Sequence, residues 1–150
     1  YIEVNVMSKI LYLMRHGQTM FNLRGKVQGA SDSPLTKLGI SQAKQAGHYF
    51  KHNHITFDEA YSSSSERACE HEVEHRIVTT LSNLLESSNG KTFLAVSHGT
   101  AIQVFLRKWI GDDMANQYII GNCCILKFIY THGKFEFLDM VDPTIDDANK

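Results

Sequence analysis

The stretch KILYLM, residues 9–14, is a short apolar run that ends directly on Arg15 and His16. A run of this length is typical of a buried strand in a parallel sheet, and no other feature constrains the fold as strongly. FDEAYSS at 57–63 and KTFLAVS at 91–97 are two further predicted strands, with helical patterns between them. This alternation predicts an α/β fold: a three-layer sandwich whose mostly parallel sheet is flanked by helices.

Capping residues and apolar periodicity predict the helices. Thr36 is a candidate N-cap for a helix from Lys37 to about His52, and a second helix is expected over 73–88. The predicted core-facing positions recur at helical spacing; they are Leu38, Ala43, Ala46 and Phe50 in the first helix and Val73, Ile77, Leu81, Leu84 and Leu85 in the second.

The last third of the chain continues the pattern. A helix is expected over 100–110, after the third strand. Residues 123–141 predict a hairpin that turns at His132-Gly133 and lies at one edge of the sheet. We expect residues 9–142 to form a single domain, 1–8 to be a tag or a wrongly assigned leader, and 143–150 to be a tail.

Composition limits the classes of function. The 150 residues carry a formal net charge of −1, so the chain has no overall basic footprint for nucleic acid. No apolar run approaches the roughly 20 residues that span a bilayer, so no membrane partner is expected. The three cysteines cannot all pair within the chain and lack zinc-like spacing. Reduced thiols in a cytoplasmic protein are the simplest interpretation.

Charged side chains follow the predicted strands. Arg15 and His16 follow the first strand, Arg67 lies shortly after the second, and His98 follows the third. Ligands of such sheets bind beyond the carboxyl ends of the strands, so these four side chains are expected in one crevice. Arginine matches phosphate oxygens two at a time, and a neutral imidazole can attack phosphorus. The cluster therefore predicts a site for phosphoryl chemistry.

Four sequence blocks resemble those of the histidine phosphatase superfamily, the phosphoglycerate mutase-like proteins. They are LMRHGQTMFN, VQGASDSPLTKLGISQA, YSSSSERACE and AVSHGTAI, and together they run from about residue 9 to 105. The resemblance implies a phosphoglycerate mutase-like fold and a metal-independent enzyme without a cofactor. Its implied substrate is a small phosphorylated metabolite.

The resemblance also implies roles for individual residues. His16 would be the phosphorylated nucleophile, and Arg15, Arg67 and His98 would form the phosphate pocket. The expected substrate-binding residues are Gly17, Asn22, Gln28, Gly29 and Gly99, although Asn22 could cap a turn and Gln28 could lie in a solvated loop.

The chain departs from the family at one point. The glutamate that protonates the leaving group is carried there by a segment of some tens of residues after the arginine block. Here SERACE runs directly into HEVEHRIV, and neither Glu59 nor Glu70 matches the motif. We therefore expect that an internal segment is missing near Glu70–His71.

The predicted function is that of a phosphatase acting on small phosphomonoesters through a phosphohistidine. A phosphoglycerate mutase of the same fold is the alternative within the family. HEVEH, residues 71–75, fits the HExxH zinc-protease motif, so a zinc metalloprotease is an alternative from another class of function. A non-catalytic phosphate-binding module is a further alternative, because it would need no proton donor.

Overall fold

A computed structural model describes residues 8–20, 34–63 and 70–146. In these ranges the chain forms one sheet with helices on both faces. The strands are β1 (Lys9–Arg15), β2 (Glu59–Ser62), β3 (Thr92–Ser97), β4 (Ile125–Thr131) and β5 (Lys134–Val141). The helices are α1 (Lys37–His52), α2 (Glu70–Ser87), α3 (Gly99–Ile110) and the short α4 (Asp112–Ala115) and α5 (Pro143–Asp146).

The five strands lie in the order β2-β3-β1-β4-β5. β1 is parallel to β3, which is parallel to β2, whereas β4 is antiparallel to both β1 and β5. The sheet is thus mixed, and the α/β class is confirmed. The predicted hairpin lies at one edge and turns at His132 and Gly133, whose φ angles of 49° and 80° suit a type I′ turn.

Strand β1 is covered on both faces, which explains its nearly continuous apolar sequence. Leu11 and Leu13 are fully buried against α2 and α3, whereas Tyr12 packs with Phe50 of α1 on the opposite face. The predicted stripe of α2 faces the first of these clusters. Among the described residues, no helix is both long enough and apolar enough to cross a bilayer.

Helix α1 begins where the predicted cap places it, but its buried face differs from the prediction. The Gly39 amide donates to the Thr36 hydroxyl at 3.0 Å. Gly39 is buried, whereas Leu38 is 53% exposed, so the prediction that Leu38 faces the core is wrong. Ala43 is also exposed. The physical reason is the close approach of Gly39 to Gln18, which turns the neighbouring Leu38 outward.

The two glycines of α1 give a matched pair of variants. A Cβ on Gly39 would lie 2.0 Å from the backbone oxygen of Gln18, whereas a Cβ on Gly47 would meet nothing within 4 Å. We expect Gly39→Ala to lower the free energy of unfolding by about 1–3 kcal/mol, because a backbone atom must move. Gly47→Ala should raise it by about 0.5–1 kcal/mol, since alanine favours a helix interior. Urea unfolding measures both, and equal stability of the two variants would contradict the close approach.

Candidate active site

Two imidazoles meet at the carboxyl edge of the sheet. His16 directly follows β1 and His98 directly follows β3, and these strands are parallel neighbours. The ring centroids of the two histidines lie 5.0 Å apart with an interplanar angle of 70°. A tetrahedral anion can therefore contact both rings at once.

The backbone around His16 is held from both sides. The His16 amide donates to the Ser97 carbonyl at 3.1 Å, on the β3 side. On the β4 side, the Cys123 amide donates to the Arg15 carbonyl at 2.9 Å. The Asn122 side-chain amide donates to the His16 carbonyl at 3.1 Å. These bonds fix the direction in which the His16 ring leaves the backbone.

One hydrogen bond determines the tautomer of His16. Its Nδ1 lies 2.7 Å from the carbonyl oxygen of Gly17. A carbonyl oxygen only accepts, so Nδ1 carries the proton and Nε2 of the neutral ring keeps its lone pair. Burial lowers the pKa of His16; the Gly17 hydrogen bond opposes this effect, and the Arg15 charge adds to it. The ring therefore stays neutral to a lower pH than an ordinary histidine.

Arg15 lies over the first turn of α3. Its Nη1 donates to the Ile120 carbonyl at 2.7 Å. A Cβ on Gly99 would lie 3.0 Å from the Arg15 Nε, so the absence of a side chain lets the guanidinium approach the helix. Burial lowers the pKa of Arg15, but a guanidinium remains charged in proteins. The first amides of α3 add the positive end of a helix dipole.

A cavity of about 370 Å³ lies beside Arg15. Its lining includes Arg107, Gln103, Thr100 and Gly99 of α3. No acidic residue contributes to the described lining. This side of the site therefore favours an anion.

Gly17 is needed for packing as well as for access to the site. A Cβ on Gly17 would lie 2.5 Å from the carbonyl oxygen of Gly39, at the start of α1. The next residue, Gln18, donates its amide to the side-chain oxygen of Gln42 at 2.8 Å. The loop after His16 is thereby attached to α1.

Several predicted site residues lie outside the described ranges. They are Asn22, Gln28, Gly29 and Arg67. Their roles remain predictions. Conversely, the sequence analysis missed Asn122 and Ile120, which hold the backbone of His16 and the guanidinium of Arg15. The turn-forming residues Gly121 and Asn122 signal a turn, but nothing local signals its contact with β1.

The nearby thiols are not competing nucleophiles. Cys123 and Cys124 are buried, and burial raises the pKa of each to about 11. Both thiols are protonated near neutral pH, and a thiol is a far weaker nucleophile than a thiolate.

The HEVEH motif lies within α2, and two of its described polar side chains face solvent. Glu72 and His75 are exposed, whereas Val73 between them is buried. Within residues 8–20, 34–63 and 70–146, no three His, Cys, Asp or Glu side chains are placed to hold a metal ion together.

Glu59 lies too far away to act as the leaving-group acid. It begins β2, at the end of the strand opposite the two histidines, and its carboxylate accepts a hydrogen bond from Tyr61 at 2.7 Å. Hydrogen bonds from Ser88 and Tyr61 lower the pKa of this carboxyl. The carboxylate is therefore ionised and lies at the wrong edge of the sheet.

The fold and site together define an α/β protein with paired histidines and a half-buried arginine at the carboxyl edge of its sheet. The family model of the histidine phosphatase superfamily (branch 1) matches residues 11–71 and 69–143. The chain belongs to this superfamily.

Relatives agree with this membership. A 2,3-bisphosphoglycerate-dependent phosphoglycerate mutase from Bradyrhizobium sp. (strain BTAi1 / ATCC BAA-1182) is 43% identical over 60 residues. That segment covers 40% of this chain and 29% of the relative, so the match spans less than a third of the relative's length.

Solved structures share the fold. Phosphoglycerate mutase from Bacillus anthracis str. Sterne has a TM-score of 0.80 at 18% identity, covering 99% of this chain and all of that one (100%). Phosphoserine phosphatase from Entamoeba histolytica, in complex with 3-phosphoglyceric acid, has a TM-score of 0.72 at 22% identity. The second alignment covers 88% of this chain and 96% of the other. The predicted phosphoglycerate mutase-like architecture is confirmed.

Proposed function

We propose that this protein is a metal-independent phosphatase that hydrolyses small phosphomonoesters through a phosphohistidine on His16. One observation carries the proposal: the Gly17 carbonyl holds His16 as the Nδ1–H tautomer, which leaves the lone pair on Nε2. The ring centroids of His16 and His98 are 5.0 Å apart. Membership of the histidine phosphatase superfamily supports it.

The first step is attack on phosphorus. The Nε2 lone pair of His16 forms the P–N bond while the P–O bond to the leaving group breaks, and the Gly17 carbonyl stabilises the cationic ring through Nδ1–H. Water then attacks phosphorus, the P–N bond breaks, and inorganic phosphate leaves. His16 returns to its neutral form.

Positive groups surround the place where charge develops. Arg15 presents guanidinium N–H groups, and the first turn of α3 presents backbone amides beside it. His98, if protonated, donates to an equatorial oxygen. Arg67, whose role rests on the family resemblance, would add a second fork. These groups replace the charge that a metal ion supplies in other phosphatases.

A second candidate is a phosphoglycerate mutase, which would return the phosphoryl group to a bound intermediate. The 43% identity to the Bradyrhizobium mutase favours this candidate over the matched 60 residues. The two activities share the phosphohistidine and differ only in whether water or a hydroxyl of the substrate accepts the phosphoryl group.

Phosphate release in the presence of a strong chelator tests the proposal. An aryl phosphate should turn over much faster than an alkyl phosphate, because an alkoxide needs a proton donor and a phenolate needs little. Conversion of 3-phosphoglycerate to 2-phosphoglycerate without phosphate release would favour the mutase. Binding without turnover of either substrate would favour the non-catalytic module. Stoichiometric zinc, with activity lost on chelation and restored by zinc, would favour the HExxH metalloenzyme.

The pH dependence follows from the environment of His16. Burial and the Arg15 charge lower its pKa, so the ring should titrate below the ordinary value of about 6.5. As the pH falls through this lowered pKa, Nε2 gains a proton and phosphoenzyme formation declines. NMR titration, with His16 assigned by comparison with His16→Ala, measures the pKa directly. Titration of His16 above 6.5 would contradict the expectation.

We also infer that the natural chain is longer and carries a further internal segment near Glu70–His71. The family model matches in two pieces, and these meet at residues 69–71. This break supports an interruption of the family pattern at the point where the acid-bearing segment is expected. Peptide mapping of the protein from its natural source tests the inference. A peptide that runs without interruption from Cys69 through Val73 would overturn the inference.

A further inference from the structure

An apolar cavity of about 410 Å³ lies between α2 and the sheet, and we call it the α2–sheet cavity. Leu13 and Ala95 line it from the sheet, and Ile77, Leu81 and Leu84 line it from α2. Its volume lies within the range of about 300–1,000 Å³ that is typical of small-molecule pockets.

The cavity reaches the edge of the sheet that carries the two histidines. Its lining includes Ser63, which follows β2, and Ser97, which ends β3. Ser97 immediately precedes His98, and its carbonyl accepts the His16 amide at 3.1 Å. The cavity lining therefore includes the residue that precedes His98 in the chain and that is hydrogen-bonded to the His16 backbone.

The described lining favours an apolar ligand and disfavours a cationic one. Apolar side chains form the walls, hydroxyl groups of Ser62, Ser63 and Thr80 add neutral polar atoms, and Arg76 is the one charged residue among the described lining. The described lining residues include no carboxylate that could balance an ammonium group, and Arg76 would repel one. Burial of apolar surface supplies the main attraction.

We propose that the α2–sheet cavity binds the organic part of the substrate, and that this part is an uncharged apolar group of about one or two aromatic rings. The inference rests on the proposed phosphatase function. It gives the site a preference that the histidines alone cannot supply, because they contact only the phosphoryl group. Substrates that carry an amine next to the phosphate should be poor.

Two adjacent threonines of α2 provide a matched test. Thr80 lines the cavity, whereas Thr79 does not, and both side chains are exposed. Thr80→Trp fills the cavity, and Thr79→Trp makes the same change in the same helix without entering it. The measurements are kcat/KM for 1-naphthyl phosphate and the rate of phosphoenzyme formation from acetyl phosphate, which has no ring. Thr80→Phe serves as a second filling variant, and thermal unfolding checks that each variant is folded.

The expected result is a loss of about tenfold or more in kcat/KM for 1-naphthyl phosphate in Thr80→Trp, with little change in Thr79→Trp. Labelling by acetyl phosphate should be the same in both variants. Equal activity of the two variants on 1-naphthyl phosphate would overturn the proposal. So would a parallel loss with acetyl phosphate, because the substitution would then act on the histidines.

Calorimetry with 1-naphthol measures binding in the cavity independently of phosphoryl transfer. The parent and Thr79→Trp should bind naphthol, and Thr80→Trp should bind it at least about tenfold more weakly. This pattern would stand even if acetyl phosphate failed to label the parent, a result that would overturn the proposed phosphatase function alone. Absence of naphthol binding to the parent would overturn the cavity assignment.

Discussion

Replacement of His16 by alanine is expected to abolish phosphoenzyme formation and to lower kcat by about 10⁴-fold or more. The Gly17 carbonyl fixes the tautomer of His16 at the carboxyl edge of β1 and leaves Nε2 as the attacking atom. The buried thiols beside it are protonated, so they cannot replace it. Rapid quench with ³²P-labelled substrate should trap an adduct in the parent that is labile in acid and stable in base.

A histidine far from the site is the appropriate control. His48 lies exposed on α1, so His48→Ala should retain the parental rate and the parental adduct. If His16→Ala still formed the adduct at the parental level, a different residue would be the nucleophile. Retention of the thermal unfolding midpoint in His16→Ala would show that the loss is chemical.

Substitution of Arg15 is expected to have the next largest effect. Arg15→Lys keeps the positive charge but loses the planar fork and the close fit over Gly99. We expect kcat/KM to fall by about 10²–10³-fold, comparable to the loss of one donor to a developing oxyanion. Arg15→Met, which also loses the charge, should be worse than Arg15→Lys. Steady-state kinetics with an aryl phosphate measures both variants.

Arg107 provides the comparison within the same cavity. It lines the space beside Arg15 but lies in the last turn of α3, about two turns from Gly99. Arg107→Lys should therefore change kcat/KM far less than Arg15→Lys. Equal losses would show that the cavity responds to total charge and not to the placement of the Arg15 guanidinium. If Arg15→Lys kept the parental kcat/KM, Arg15 would not be a ligand of the phosphoryl group.

Local sequence patterns were sufficient for the five strands and the three longer helices, whereas the short helices α4 and α5 were not predicted. The apolar run of β1 predicts burial on both faces because each of its faces must meet a helix layer. The Thr36 cap and the His132-Gly133 turn were placed correctly, since capping and positive φ are properties of a few neighbouring residues. The superfamily could likewise be identified from motifs, which depend only on residue order.

Contacts between distant segments could not be predicted in the same way. The exposure of Leu38 follows from the close packing of Gly39 against Gln18. This packing cannot be predicted from the helical spacing of apolar residues. Asn122 reaches the His16 carbonyl from a residue 106 positions away. The residues next to Leu38 and Asn122 in the sequence do not indicate either of these roles.

The sequence by itself determined the α/β class, the superfamily and the residue types of a phosphoryl site, because strand length, capping and motif spacing are encoded over short stretches. Only the tertiary structure decided the order of the strands, the tautomer of His16 and the existence of the α2–sheet cavity. Each depends on atoms brought together from separate parts of the chain. Hydrogen-bond geometry and packing are fixed only when these parts meet.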